Sequence, residues 1–285
     1  MMKLLITGGS GYLGIELLKQ AVLHPDIEVH ATWFSHQIEV PGVTLHQLDV
    51  RDPVVTVKLL ERIVPNCIVH TAALMGLDAL QPPDAPGEAE PLIVEGTATL
   101  ARWCAHSETR MVHISTDVVF SGNNAPYDER AQPHPLHRYA MAKYKAERKI
   151  LDLRVKATIV RTSLIYGFDP PDMRTTAILN GTATRFFTDE FRNPIFVSDL
   201  ATAILELAGS EYVGILNVAG PDRLSRYEFA QKILEHAGKE QKLEASLSAE
   251  SGMIRPLDCT LDPYLREHIL KTSIRSVGEV LAQRR

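Results

Sequence analysis

Tyr139 and Lys143 stand four residues apart in the segment Tyr139-Ala-Met-Ala-Lys143. On a helix that spacing puts a phenol and an ammonium on one face. A free phenol ionises near ~10 and is a poor acid–base group at neutral pH. A neighbouring cation favours the phenolate and brings that value toward the working range. Thr116 ends a short apolar run, Met111–Ser115, and offers a hydroxyl that can donate to a carbonyl. Tyrosine and lysine at this spacing are common on helices, so the pair alone decides nothing. Its meaning changes beside the loop Thr7-Gly-Gly-Ser-Gly-Tyr-Leu-Gly14, whose glycines fall at 8, 11 and 14. Gly8 would permit a tight turn, Gly11 a close approach of backbone to pyrophosphate, and Gly14 close helix–strand contact. The N–H groups and dipole of a helix starting at Gly11 would hold the diphosphate. The bland alternative is a glycine-rich turn without a ligand. A dinucleotide cradle, a proton donor and a carbonyl polariser are together the parts that hydride transfer needs.

A carboxylate about 20 residues after such glycines accepts from the ribose 2′-OH of NAD. Here that stretch reads Thr32-Trp-Phe-Ser-His36, with no carboxylate before Glu39. A 2′-phosphate is tolerated there, with Ser35, His36 or Arg51 to contact it, so the reading leans to NADP and leaves NAD open. Asp49 is placed either to accept from an adenine amino group or to cap the helix at Pro53 together with Asp52.

The elements that must position these residues alternate. Short apolar runs and helical patterns follow one another through the first two thirds of the chain, the rhythm of βαβ units. Strands are expected at 3–7, 27–32, 44–48, 67–71, 111–115 and 157–161, and helices at 11–23, 53–64, 91–106 and 137–151. The proline-rich stretch Gln81–Pro91 reads as an exposed loop. After Gly167 the alternation weakens, and Ile195–Val197, a helix 198–207 and Ile215–Val218 read as a return to the sheet. The expected fold class is α/β, a Rossmann doubly wound parallel sheet with a smaller C-terminal substrate-binding subdomain. Residues 1–167 plus 191–220 would form the NAD(P)-binding domain. Residues 168–190 plus 221–285 would form a cap over the carboxyl ends of the strands, closing a substrate cleft.

The 285 residues carry 45% apolar and 23% charged side chains, a soluble globular mix with enough chain for a sizeable core. A formal charge of −5 gives no electrostatic pull toward nucleic acid or an anionic membrane. Three scattered cysteines (67, 104, 259) form no disulfide framework, and neither they nor the histidines have metal-ligand spacing, so no metal is expected. The first residues are too short an apolar run for a signal peptide, and no run suffices to span a bilayer. The expected location is the cytoplasm.

The residues resemble the extended short-chain dehydrogenase/reductase family, and within it the dTDP-4-dehydrorhamnose reductase family. Besides the glycine loop, Ala72-Ala-Leu-Met-Gly-Leu-Asp78 is similar to the family's AAxTxVD. His113-Ile-Ser-Thr-Asp-Val-Val-Phe-Ser-Gly122 is similar to STDYVFDG, and Arg161-Thr-Ser-Leu-Ile-Tyr-Gly167 to RTSWVYG. Tyr127-Asp-Glu129, Gly214–Gly220 with Ser225–Ala230, and Arg255-Pro-Leu-Asp-Cys-Thr-Leu-Asp262 extend the likeness through the sugar-binding part. The resemblance implies catalysis by Thr116, Tyr139 and Lys143, with Tyr139 protonating the C4 ketone oxygen of a nucleotide-linked hexose as nicotinamide delivers hydride. It implies cofactor contacts from Gly8, Ser10, Gly11, Tyr12, Leu13, Gly14, Ser35, His36, Asp49, Val50, Thr71, Ala72, Ala73, Tyr139 and Lys143. Substrate contacts would come from Thr116, Asp117 and Leu164, and a homodimer is compatible with it. Leu164 stands where the family usually has Trp, Met75 where it has Thr, and Ile93 where it has Asn. Those departures keep open a second reading, a non-catalytic NADP-binding regulatory subunit resembling the β subunit of methionine adenosyltransferase. Related dehydratases place acid and base on the two residues after Thr; here Val118 follows Asp117, so the base is missing and reduction is favoured.

Overall fold

A computed structural model describes residues 1–73 and 90–284. Among them a seven-stranded sheet carries β1 (Met2–Thr7), β2 (Ile27–Trp33), β3 (Val43–Gln47), β4 (Cys67–His70), β5 (Arg110–Thr116), β6 (Ala157–Thr162) and an edge strand Gly214–Asn217. From that edge the order is Gly214–Asn217, β6, β5, β4, β1, β2, β3. β1 pairs parallel with β2 and β4, β2 with β3, and β4 with β5. The order reverses between β1 and β4, the switch point at which doubly wound sheets bind ligands beyond their carboxyl ends.

The helices that flank these strands follow from local chemistry. In α1 (Tyr12–Ala21), Leu13, Gly14, Leu17, Leu18 and Ala21 are buried, a helical stripe. α2 (Pro53–Ile63) opens on Asp52, whose carboxylate accepts from the N–H groups of Val54 and Val55 at 2.9 and 3.0 Å, with Pro53 as its first residue. Such a cap is worth about 1 kcal/mol. The expected helix from 91 begins as a wide π-type turn, Glu90–Glu95, and becomes α3 only at Gly96–Ser107. α4 (Arg138–Asp152) starts on His137, whose Nδ1 accepts from the Ala140 N–H at 3.3 Å.

By contacts the chain divides into two compact units. The first is Met1–Ser115, His137–Val160 and Ala201–Leu216; the second is Thr116–Leu136, Arg161–Leu200 and Asn217–Arg285. The first is centred on Leu5, Leu59, Leu60, Ile68, Leu100, Met111, Ile150 and Ile159, each at most 6% exposed. Each such side chain contributes about 1.5–3 kcal/mol of burial. The second packs Tyr166, Ile178, Phe229, Ile233, Val277 and Val280 into its own cluster. One expectation is corrected: Ile195–Phe196 does not rejoin the central sheet. It pairs parallel with Ile165–Tyr166 in a separate two-stranded ribbon. The residues after it form the helix Val197–Ala208, and Gly214–Asn217 does return to the central sheet.

Candidate active site

The glycine turn joins β1 to α1. Gly8 has φ +75°, and a Cβ there would sit 2.7 Å from the Ala72 nitrogen. A Cβ on Gly14 would fall 2.3 Å from the Gly8 carbonyl oxygen and 2.9 Å from Gly9 backbone, so Gly14 is required by the turn it packs upon. Gly11 differs: it is exposed, and its Cβ would meet only the Gly8 carbonyl oxygen, at 3.2 Å. It is the N-cap of α1 without a side-chain hydrogen bond, so the positive end of the helix has no side chain of its own to cap it. The turn is held from behind by Gly9 N–H to the Thr32 carbonyl (2.8 Å) and by the Thr71 hydroxyl to the Thr7 carbonyl (2.8 Å). Its open face fits a dinucleotide diphosphate.

The other cofactor-side residues lie in the same unit. Ser35 and His36 are exposed just beyond β2, the Ser35 hydroxyl and His36 Nδ1 being 2.8 Å apart. The two readings of Asp49 separate here. Capping of α2 falls to Asp52 alone, whereas Asp49 accepts from Arg51 Nε at 2.9 Å and Nη2 at 2.7 Å. That bond holds the Asp49 carboxyl below its usual range. The Arg51 guanidinium lies 5.4 Å from the centre of the Phe34 ring. The Val50 side chain is buried against Gly96. Thr71, Ala72 and Ala73 follow β4; Met75 and Asp78 lie outside the described residues.

Tyr139 and Lys143 share one face of α4. Tyr139 is half-buried, stacked on His137 with ring centres 6.4 Å apart and packed on the cluster of Ile93, Val94, Ala142 and Ala146. Ile93, at the position where a polar residue was expected, is fully buried in that cluster. Lys143 is 2% exposed, and its Nζ donates to the Ile114 carbonyl at 2.8 Å. Burial lowers its pKa to about 8, against the opposing pull of Glu147. Behind it His70 bridges two hydroxyls, Thr7 at 2.6 Å and Thr97 at 3.0 Å, and burial lowers its pKa to about 3. His70 is therefore neutral at working pH.

In the second unit Thr116 ends β5 and caps the turn Asp117–Val119. Asp117, 3% exposed, accepts from the Ser163 hydroxyl at 2.5 Å and lies 3.6 Å from Arg192 Nε. Burial pushes its carboxyl up, against Arg192 and Ser163. Leu164, expected to line the substrate, is 6% exposed within the apolar cluster of Tyr166 and Phe229, so its side chain serves packing. Glu190 was not singled out by the sequence. It is fully buried and meets three guanidiniums: Arg192 at 3.1 Å, Arg226 at 2.8 Å and Arg255 at 2.8 Å. Burial would raise this carboxyl, but Arg226, Arg192 and Arg255 prevail and bring it to about 2. With Asp117 beside Arg192, three guanidiniums meet two carboxylates, and among the described residues Arg226 Nη1 is buried without a hydrogen-bond partner. Several motif residues are staples instead. The Asn217 amide donates to the Tyr127 carbonyl at 2.9 Å, and Asn193 Oδ1 accepts from the Leu261 N–H at 2.8 Å. Among the described residues no cluster of three His, Cys, Asp or Glu could hold a metal.

The sequence pattern of the RmlD substrate binding domain family matches residues 2–283. The chain belongs to this family. As a member it is an oxidoreductase. It is 30% identical over 254 residues to the dTDP-4-dehydrorhamnose reductase of Aggregatibacter actinomycetemcomitans, covering 86% of this chain and 82% of that one. It is 29% identical over 262 residues to the probable low-salt glycan biosynthesis reductase Agl14 of Haloferax volcanii, covering 86% and 84%. The crystal structure of a Bacillus anthracis dTDP-4-dehydrorhamnose reductase in complex with NADP superposes with a TM-score of 0.83 at 25% identity, covering 99% of this chain and 98% of that one. Methionine adenosyltransferase 2 subunit beta of Bos taurus is also similar, 26% identical over 246 residues, covering 82% and 71%. The relatives of this RmlD-family chain thus include reductases and a subunit of another enzyme, and which substrate this chain takes rests on its own side chains.

Proposed function

We propose that the protein is an NADPH-dependent reductase of a 4-keto sugar carried on a nucleoside diphosphate, dTDP-4-dehydrorhamnose-like, with NADH as the alternative donor. The observation that carries this reading is Lys143: an ammonium buried one helical turn from Tyr139, in the same unit as a glycine turn open to a diphosphate. A chain relieved of catalysis would have no use for so costly a buried charge. Gly8, Ser10, Gly11, Tyr12, Leu13 and Gly14 would hold the diphosphate, Asp49 and Val50 the adenine, Ser35 and His36 the 2′-phosphate, and Thr71, Ala72 and Ala73 the stretch beyond. When bound, the reduced nicotinamide supplies the hydride. Tyr139 gives its proton to the ketone oxygen, and Thr116 contributes a hydroxyl for the substrate. The Lys143 charge favours the phenolate that remains. Substrate would belong to the second unit, at Thr116 and Asp117, where the surplus of guanidinium around Glu190 supports an anionic group such as a diphosphate. The cytoplasm is the proposed location, consistent with three buried free thiols.

The test mixes purified protein, NADPH and a panel of 4-keto dTDP-sugars and follows the absorbance of the reduced cofactor. Ketone-dependent consumption is expected. Cofactor binding with no consumption across the panel would overturn the reductase reading and favour the regulatory-subunit one.

A further inference from the structure

Four side chains at the β2–β3 edge of the sheet hydrogen-bond end to end. Arg62 Nη2, on α2, lies 3.1 Å from His46 Nδ1, on β3. His46 Nε2 lies 3.1 Å from His30 Nδ1, on β2, and His30 Nε2 lies 2.9 Å from Glu28 Oε1. The two imidazoles are stacked, with ring centres 5.3 Å apart and planes 16° from parallel. His30 is buried, His46 half-buried and Arg62 exposed.

A guanidinium only donates, so the protons along this row have a single arrangement. Arg62 donates to His46 Nδ1, which leaves the His46 proton on Nε2 to be given to His30 Nδ1. His30 then carries its own proton on Nε2 and gives it to Glu28. Every link is made only while both rings are neutral. A proton added at His46 Nδ1 sets two N–H groups against each other at Arg62. A proton added at His30 Nδ1 does the same at His46, and reversing the His46 tautomer to repair it again costs the Arg62 link. Whichever ring takes the proton, the row parts between α2 and β2.

The charges around the rings are few. On β2 Glu28 favours a charged His30, and on β1 its register partner Lys3 opposes it, with Nζ on the Ile63 carbonyl at 3.2 Å. β3 brings only Thr44 and His46 to this face, and on α2 Lys58 and Glu61 are exposed beside Arg62. Burial, His30 and Arg62 hold His46 below its ordinary value of 6.5. The stability His46 contributes is therefore present above 6.5 and is lost as pH falls through the lowered value. The row also stands behind the glycine turn. His46 is the register partner of Thr32, whose hydroxyl accepts from the Gly8 N–H at 3.3 Å and whose carbonyl accepts from the Gly9 N–H at 2.8 Å.

We propose that the row Arg62–His46–His30–Glu28 is an acid-sensitive strap: neutral, it ties α2 and β3 to β2 behind the diphosphate turn, and on taking up a proton it loosens that edge and weakens dinucleotide binding. The binding half rests on the reading of the turn as a dinucleotide cradle; the opening of the edge does not.

The experiment follows the full-length protein from about pH 8 to about pH 5, the range in which histidine titrates. Long-range ¹H–¹⁵N NMR reads which ring nitrogen carries the proton, with signals assigned by their loss in His30→Gln and His46→Gln. Both rings should carry it on Nε2 at the upper pH. On acidification the β3 amides should exchange about tenfold faster than the ordinary pH dependence of exchange allows, the loss of about one hydrogen bond to a charged group. NADP affinity should fall about tenfold more than in the double variant His30→Gln with His46→Gln, a comparison that cancels titration of the cofactor's own phosphate. If the double variant does not fold, Arg62→Met is read instead; freeing His46 Nδ1 should move the opening to higher pH. An Nδ1 proton on either ring at the upper pH, or β3 exchange that does not respond to acid, overturns the strap. Absence of NADP binding at every pH would defeat the reading of the turn, while the tautomers and the exchange still decide the strap.

Discussion

Replacing Lys143 by methionine should change the pH dependence of folding in a way that isolates one group. The ammonium is 2% exposed, and its pKa lies at about 8 in the folded protein against an ordinary 10.5. At about 1.4 kcal/mol per tenfold, that gap means folding disfavours the charged form by roughly 3 kcal/mol. The sign follows from proton counting. Between these two values the unfolded chain binds more protons than the folded one, so wild-type stability rises with pH through that window. Relative to Lys143→Met, the wild type should gain about 1.4 kcal/mol on going from neutral pH to about pH 9, and about 2.6 kcal/mol by about pH 10. Urea unfolding of both proteins at matched pH values reads the difference, and titration of groups common to both cancels. A difference that stays flat across the window would refute the reasoning, because it would mean that Lys143 is solvated or fully paired.

Other outcomes follow from single contacts. Gly14→Ala should abolish dinucleotide binding or folding, because its methyl group would lie 2.3 Å from the Gly8 carbonyl oxygen; titration with NADPH and a melting curve read both. Glu190→Gln should cost about 3 kcal/mol in urea unfolding by removing the buried carboxylate that Arg192, Arg226 and Arg255 share. The wild-type carboxyl is depressed to about 2, so its stabilisation is present above the ordinary value of 4.5 and is lost as pH falls through about 2, a loss the variant should lack. Arg51→Ala should raise KM for NADPH about tenfold while leaving that for NADH unchanged, if this cation, now on Asp49 and over Phe34, turns to a 2′-phosphate. Tyr139→Phe should lower kcat by about a hundredfold or more with cofactor binding intact.

The sheet was readable because its strands are short apolar runs punctuated by strong stops. Asp52-Pro53 announces α2, and the glycine turn can occupy only a β1–α1 junction. What the sequence concealed is pairing at a distance. Ile195–Phe196 looks like any buried strand, and nothing local says that its partner is Ile165–Tyr166 and not the central sheet. Glu190 gathers Arg192, Arg226 and Arg255 from positions up to 65 residues away, so no window along the chain contains the cluster. Glu147 hid for a different reason. Within Lys143-Tyr-Lys-Ala-Glu-Arg-Lys149 it reads as one more solvated charge, and only its 1% exposure sets it apart. Leu164 shows the converse: a position picked out by its departure from a family pattern turned out to be packed in a core.

The central claim is a hydride passed to a ketone whose oxygen takes its proton from Tyr139. The most direct measurement supplies NADPH deuterated at the transferable position of the nicotinamide, together with a 4-keto dTDP-sugar, and examines the sugar product by mass spectrometry and NMR. The account predicts an alcohol carrying a single deuterium at C4, formed in step with cofactor oxidation and absent with Tyr139→Phe. A product without deuterium, or the same yield from the phenylalanine variant, would contradict it.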